Sequence, residues 1–216
     1  MSKLRFRVSM SLDGYTAGPS QSVDAPLGKG GQRVHEWVFP LAAFRRMHGM
    51  GEGGTVDEST PIIENMFENV GATVMGRNMF GGGTGAWATD PPWTGWWGPD
   101  PVYHHPVFVV THHARAPLVM EGGTTFHFVT DGPDAALARA REAAGGKDVS
   151  LGGGAQVARH FLARGAVDEM TLSIAPVLLG AGERLFEGLG EGDLHGLTLT
   201  RTIAAKNVTH LIFTRA

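Results

Sequence analysis

The sequence predicts an α/β protein: a largely parallel sheet covered by helices on both faces, with an antiparallel strand pair at one edge. Three observations predict it. Short apolar runs alternate with helical patterns through the middle of the chain, and parallel strands need such crossovers. Two further strand patterns, 197–203 and 208–214, close the chain with only residues 204–207 between them, which suits an antiparallel pair. The 216 residues are enough to bury a sizeable core without staples.

Each element follows from its pattern. Residues 4–12 read as a strand, with Leu4, Phe6, Val8 and Met10 at period two and Asp13-Gly14 as the turn that ends it. A polar, Gly-rich loop occupies 17–31. A short helix is expected over 35–47, with Trp37, Leu41 and Phe44 on one face, although Pro40 works against it. Thr60-Pro61 opens a helix whose stripe Ile62, Ile63, Met66, Phe67, Val70 ends at Gly71. Residues 72–75 are a buried strand, and 81–103 a long loop holding Trp87, Trp93, Trp96 and Trp97. Strands follow at 107–110 and 124–129, then an Ala-rich helix at 131–144 closed by Gly145-Gly146. Residues 149–151 form a strand, 155–164 a helix with Val157, Phe161 and Leu162 inward, and 170–174 another strand. With no repeat, linker or charge block, residues 1–216 are expected to form one domain.

Composition removes several function classes. Cys is 0, so disulfides, zinc–thiolate sites and thiol nucleophiles are excluded. Lys+Arg 18 against Asp+Glu 21 gives a net charge of -3, without the basic footprint that nucleic acid requires. No stretch approaches the ~20 apolar residues of a membrane span, and the N-terminus lacks the apolar run of a signal peptide. The expectation is a cytoplasmic protein with a small-molecule substrate, and no nucleic-acid or membrane partner.

Chemistry is expected where parallel strands end, since open α/β sheets bind ligands along that edge. Three ends carry unusual residues: Gly76-Arg77, Thr111-His112-His113 with Arg115, and Gly152-Gly153-Gly154 before a helix. The glycines allow close backbone approach, and the helix start at residues 155–157 favours an anion such as a diphosphate. A tight turn without a ligand is the alternative. Arg77 can meet phosphate oxygens or be a surface arginine. His112, His113 and Arg115 can hold the 2′-phosphate that separates NADP from NAD, or be solvated. The spacing is neither the Rossmann fingerprint nor a P-loop. His104-His105 and His112-His113 do not suggest a metal site, because neighbours on a strand point to opposite faces and no carboxylate completes a ligand set. The tryptophan-rich loop is read as walling a pocket or a subunit interface, with core cover as the alternative.

The ordered set of segments resembles the dihydrofolate reductase-like superfamily, most closely the branch related to the reductase domain of the riboflavin-biosynthesis deaminase-reductase. The resemblance is carried by Ser11-Leu12-Asp13-Gly14-Tyr15-Thr16-Ala17, Met75-Gly76-Arg77-Asn78-Met79-Phe80, Val109-Val110-Thr111-His112-His113, Leu151-Gly152-Gly153-Gly154-Ala155, and Ala175-Pro176-Val177-Leu178-Leu179-Gly180 with Gly182, Leu185 and Phe186. It implies a three-layer α/β/α fold around a mostly parallel mixed sheet, with NADPH as hydride donor. By the same resemblance Ala17 and the following loop cover the nicotinamide. Gly76, Arg77, Asn78 and Met79, with Gly152, Gly153, Gly154, Ala155, Gln156 and Val157, hold the diphosphate and neighbouring groups. Thr111, His112 and His113 hold the 2′-phosphate.

The function implied is an NADPH-dependent reductase of a small planar heterocyclic or conjugated substrate, pteridine- or pyrimidinone-like. The alternatives are a genuine dihydrofolate or riboflavin-pathway 5-amino-6-(5-phosphoribosylamino)uracil reductase, and a nucleotide-binding module without turnover. Gly152 stands where the riboflavin branch usually carries a carboxylate, which argues for a different substrate. No deaminase segment precedes the reductase-like one, and the tryptophan-rich segment is an insertion relative to both relatives. Asp57 and Glu64 are the candidate proton donors, with Glu183, in the late motif, a further one. A homodimer is the expectation from the family and the aromatic loop.

Overall fold

The computed structural model describes residues 2–83, 85–88, 91–192 and 194–215. In chain order the elements are β1 (Leu4–Ser11), β2 (Tyr15–Ala17), α1 (Ala42–Met47), α2 (Thr60–Glu64), β3 (Val70–Gly76), α3 (Arg77–Phe80), β4 (Pro106–Val110), β5 (Leu118–Val119) and β6 (Thr125–Val129). They continue with α4 (Pro133–Ala143), β7 (Asp148–Leu151), α5 (Ala155–Leu162), β8 (Glu169–Ala175), β9 (Glu183–Arg184), β10 (Leu197–Ala205) and β11 (Val208–Arg215). A nine-stranded sheet runs β10-β11-β8-β1-β7-β3-β4-β6-β5. The six central strands are parallel, while β11 and β10 are antiparallel at one edge and β5 at the other.

The period-two face of β1 carries the main core. Leu4, Phe6 and Met10, with Val74, Val149 and Leu151 of the neighbouring strands, pack on Leu137 and Ala140 of α4 and on Phe161 and Leu162 of α5. Phe161 is fully buried, so its truncation to Ala costs about 3–5 kcal/mol. The opposite face is divided. Over β1, β8 and β11 lie a 3-10 turn (Gly31–His35), α1 and α2, with Trp37, Leu41 and Ile63 buried. Over β3, β4 and β6 lies the tryptophan-rich segment. Trp87, Trp93 and Trp97 pack against Met75, Phe80, Val109 and Phe126, so these indoles cover core rather than projecting from it. Thr84, Thr89 and Asp90 of that segment lie outside the described residues.

Two expected helices are cut short. The apolar stripe from Thr60 continues in sequence, but α2 ends at Glu64 and Val70 already belongs to β3. Gly71 is no helix stop: a Cβ there would stand 2.6 Å from the Ala144 carbonyl oxygen, so glycine lets β3 pass the end of α4. The helix expected from residue 35 starts only at Ala42, beyond Pro40, which cannot donate inside a helix. Strands β2, β5 and β9 hold two or three residues each, too few for a period to register.

Candidate active site

The parallel register brings the three unusual strand ends together. β7, β3 and β4 are neighbours, with Val74 beside Leu151 and Gly76 beside Val110. Strands lie about 4.8 Å apart, so the three corners occupy adjacent positions on one rim. Backbone bonds lock the β7 and β3 corners to each other and tie the β4 corner to β6. Gly76 N–H donates to the Gly153 carbonyl at 2.6 Å, Gly152 N–H to Val74 at 2.8 Å, and Thr111 N–H to Val129 at 3.0 Å. The Gly153–Gly154 peptide is cis.

The glycines separate into two kinds. Gly76 permits close packing: a Cβ there would meet Val157 Cγ2 at 3.0 Å and the Gly154 nitrogen at 3.4 Å. Gly153, at φ 97°, would carry a Cβ with nothing within 4 Å, so its missing side chain leaves open space beside the start of α5. A Cβ on Gly154 would approach only the Glu183 carboxylate, at 3.9 Å. An open cradle of backbone beside an eight-residue helix start is a fit for a phosphate-bearing cofactor. Ala155 and Val157 are buried on α5, and Gln156 between them is exposed.

On the β1 side, the Asp13 carboxylate organises the approach. It accepts from Ser11 Oγ at 2.6 Å and from the backbone of Leu179 and Gly180 at 3.1 and 2.7 Å. The Ser11 hydroxyl and these amides hold it at about 2, well below the ordinary carboxylate range. This joins the first strand's turn to the late segment, where Ala17 of β2 pairs with Glu183 of β9. Glu183 thus stands between Ala17 and the glycine turn. Burial pushes its carboxyl pKa up, opposed by the charge of Arg159.

At the other end of the rim, Arg77 does not project freely. Its Nε and Nη2 donate to the carbonyls of Gly81 and Gly82, both at 3.1 Å, and its guanidinium lies over the Trp87 ring at 3.1 Å from the centroid. Nη1 is buried without a partner among the described residues. Burial, then the nearby Arg115, lower its pKa to about 10. The Trp87 indole N–H donates to the His113 carbonyl at 2.8 Å, so one indole bridges the second and third corners. Asn78, His112 and His113 are exposed, Met79 is half-buried and Thr111 is buried, its hydroxyl accepting from His113 N–H at 3.2 Å.

The two candidate acids differ in setting. Glu64 is exposed and paired with Arg46 at 2.9 Å. Asp57 is half-buried, and its Oδ1 accepts from Ser59 N–H at 2.8 Å. Ser59 leads into a buried polar chain. His210, fully buried, bonds Ser59 Oγ and Ser173 Oγ, each at 2.9 Å. Ser9, beside Ser173 in the sheet, accepts from Trp37 Nε1 at 3.1 Å. Burial lowers His210 to about 4, so its ring is neutral at pH 7. Sequence periodicity missed this chain because Ser9 and Ser173 are the polar half of alternating strands, where solvent is the usual neighbour. Glu183 was legible only through the late motif, and the Trp87–Arg77 contact carried no sequence signal.

Among the described residues no group of three or more His, Asp or Glu side chains could hold a metal ion, and no helix is long and apolar enough to cross a membrane.

A nine-stranded sheet of this order, with glycine corners joined at the ends of adjacent parallel strands, defines the dihydrofolate reductase-like class. Residues 2–211 match the family model described as the RibD C-terminal domain, and the chain belongs to that family. The coarse class that follows is an oxidoreductase of the riboflavin-pathway type. Among solved structures, a putative riboflavin biosynthesis protein from Shewanella sp. PV-4 is 23% identical with a TM-score of 0.58, over 100% of this chain and 99% of that one. Acinetobacter baumannii RibD is 18% identical with a TM-score of 0.56; all of this chain aligns with 58% of its length. Dihydrofolate reductase from Enterococcus faecalis, complexed with NADP(H), is 13% identical with a TM-score of 0.53, over 99% and 96% of the two chains. These likenesses show the fold. No curated protein sequence matches the chain.

Proposed function

We propose that this protein is an NADPH-dependent reductase that transfers a hydride to a small planar heterocyclic or conjugated substrate of pyrimidinone or pteridine type. The observation that carries the reading is the convergence of Gly76, Thr111 and Gly152–Gly154 on one rim, locked by the Gly76–Gly153 backbone bond, in a chain of the RibD C-terminal domain family. The glycine cradle and the start of α5 would hold the diphosphate. Thr111, His112 and His113 would hold the 2′-phosphate, and Ala17 with the adjoining loop would cover the nicotinamide. Bound NADPH supplies the hydride. The chain's part is to orient the acceptor, exclude water and deliver a proton.

Of the two candidate acids, Asp57 is the better supported as proton donor. It is half-buried and tied through Ser59 and His210 to the central strands, whereas Glu64 is exposed and neutralised by Arg46. Gly152, in place of a carboxylate, favours a substrate other than the ribosylated pyrimidine of the riboflavin branch. The protein is further proposed to act in the cytoplasm, as a homodimer of single-domain chains, without nucleic-acid or membrane partners.

The test is titration with NADPH and NADH, followed by turnover on a panel of aminouracils, pterins and conjugated ketones. The reading expects saturable binding, tighter for NADPH, and NADPH consumption with at least one acceptor. His113→Glu is expected to weaken NADPH about tenfold while leaving NADH nearly unchanged, because the added charge opposes only the 2′-phosphate. Equal affinity for both dinucleotides removes the 2′-phosphate assignment. Binding without consumption favours a nucleotide-binding module, and no binding at all ends the reductase reading.

A further inference from the structure

A second cavity lies at the other end of the central strands. It has a volume of about 160 Å³ and opens between α2 and the β10–β11 edge, lined by Arg5, Arg7 and Arg201, by Glu169, and by apolar groups including Ile62 and Ile212. Ser9, the indole of Trp37 and His210 occupy the next positions toward the rim on the same sheet face, so the cavity is separate from the glycine cradle.

Its charges are unbalanced. The Glu169 carboxylate is already shared, with Lys3 Nζ on Oε1 at 2.6 Å and Arg5 Nε near Oε2 at 3.3 Å. Arg5 is held further by Asp148 at 3.7 Å and by the Glu68 carbonyl. Arg7 makes no ion pair; the Glu169 and Glu68 carboxylates act on it only from beyond contact distance. Among the described residues its guanidinium finds one acceptor, the Ile62 carbonyl at 3.0 Å, and no carboxylate within ion-pair distance. Arg201 is exposed and has no acid partner among them either. A half-buried cation without a counter-ion is costly. Burial, then the charge of Arg5, lower Arg7 to about 10 against the smaller opposing influence of Glu169 and Glu68, and it stays charged at pH 7.

We infer that this cavity is a binding site for a small organic oxyanion, a phosphate or carboxylate on a compact apolar body. Arg7 and Arg201 take the oxyanion, and Ile62 and Ile212 receive the apolar part. A guanidinium presents paired N–H donors that match two oxygens of such a group, and the cavity's apolar wall favours an organic ligand over the bare ion. Arg5 and Glu169 serve as scaffold, since their charges already satisfy each other. The inference does not depend on the dinucleotide reading.

The experiment uses the full chain and calorimetric titration with phenyl phosphate, inorganic phosphate and, as an uncharged control, phenol. Phenyl phosphate is expected to bind saturably, inorganic phosphate more weakly and phenol not at all. Arg7→Met is expected to weaken phenyl phosphate at least about tenfold, the loss of a charge-assisted contact. It should also melt no lower than the parent without ligand, because the unpaired charge is gone; a purely structural arginine would lower it. Arg201→Met, on the exposed strand, gives the same loss of binding should Arg7→Met fail to fold. Gly153→Ala, at the separate cradle, is expected to retain phenyl phosphate affinity. Absence of saturable binding up to about 10 mM, unchanged affinity in both arginine variants, or loss in Gly153→Ala overturns the inference.

Discussion

The guanidinium of Arg77 lies over the indole of Trp87, 3.1 Å from the ring centroid, at the rim corner where the reductase reading needs a cation for phosphate. Trp87 comes from the tryptophan-rich segment that covers β3, β4 and β6, and its N–H is fixed to His113. The tryptophan-rich segment therefore does two jobs: it closes one half of a sheet face and it occupies an arginine at the rim proposed to hold the cofactor. A cation–π contact of this kind is worth about 0.5–2 kcal/mol. Trp87→Ala is expected to lower the melting temperature by a few degrees and, by freeing Arg77, to tighten NADPH several-fold. Trp87 emission, obtained as the difference between the parent and Trp87→Phe, is expected to change when NADPH is added. An unaltered difference spectrum would show that the indole stays on Arg77 in the complex.

With the cofactor in the proposed cradle, Glu183 would give its binding a pH dependence. Its carboxylate faces the glycine turn, within 3.9 Å of where a Gly154 side chain would begin, and burial raises its pKa. Protonated, it is neutral beside the diphosphate; ionised, it repels it. NADPH affinity is expected to fall as pH rises through the titration of this acid. Glu183→Gln should bind more tightly at pH 8 and lose that dependence. Identical pH profiles of Kd for the two proteins would remove Glu183 from the cradle's electrostatics.

Gly153→Ala tests the cradle itself. The methyl group meets no protein atom within 4 Å, so it enters the space assigned to the diphosphate, and φ 97° adds backbone strain of about 1–2 kcal/mol. NADPH affinity is expected to drop at least about tenfold, with the fold retained in circular dichroism. Parent-like affinity would move the cofactor elsewhere.

The acids are distinguished by kinetics. Asp57→Asn is expected to lower kcat about a hundredfold with little change in NADPH Kd. Glu64→Gln, which breaks only an exposed pair with Arg46, should leave both nearly unchanged. The reverse ranking, read in single-turnover experiments, would transfer the proton to Glu64.

Buried histidines contribute to the acid limb of stability. His35, His105 and His210 are each lowered to about 4 by burial, against 6.5 in the unfolded chain. Between those values the unfolded state binds protons that the folded state does not, so stability is full above about pH 6.5 and declines as pH falls toward 4. Urea unfolding at intervals from pH 7.5 to 4.5 is expected to show that decline, with a shallower slope in His210→Gln. A flat profile would mean that these rings titrate in the fold as they do in the unfolded chain.

Much of this architecture was legible in the sequence. The alternation of Leu4, Phe6, Val8 and Met10 placed β1, and the runs ending at Gly76, Val110 and Leu151 placed three parallel strands. The glycine corners, with the flanking Arg77 and His112-His113, marked the edge where a ligand would sit. Period and turn chemistry are local, so a single chain segment displays them. Termination was less legible. The stripe after Thr60 runs on past the helix because Met66 and Phe67 are apolar for packing reasons, and Gly71 looked like a stop although its lack of a Cβ answers to Ala144, far along the chain.

By itself, then, the sequence determined the order of strands and helices and the places where backbone could approach a phosphate. Only the tertiary structure decided which side chains share a neighbourhood: Trp87 on Arg77, Glu183 beside Gly154, His210 between Ser59 and Ser173, and Arg7 in a cavity whose one carboxylate, Glu169, is already paired with Lys3 and Arg5. The reason is physical. Burial, pairing and desolvation depend on groups brought together from distant parts of the chain, and no periodicity within one segment encodes which of them will meet.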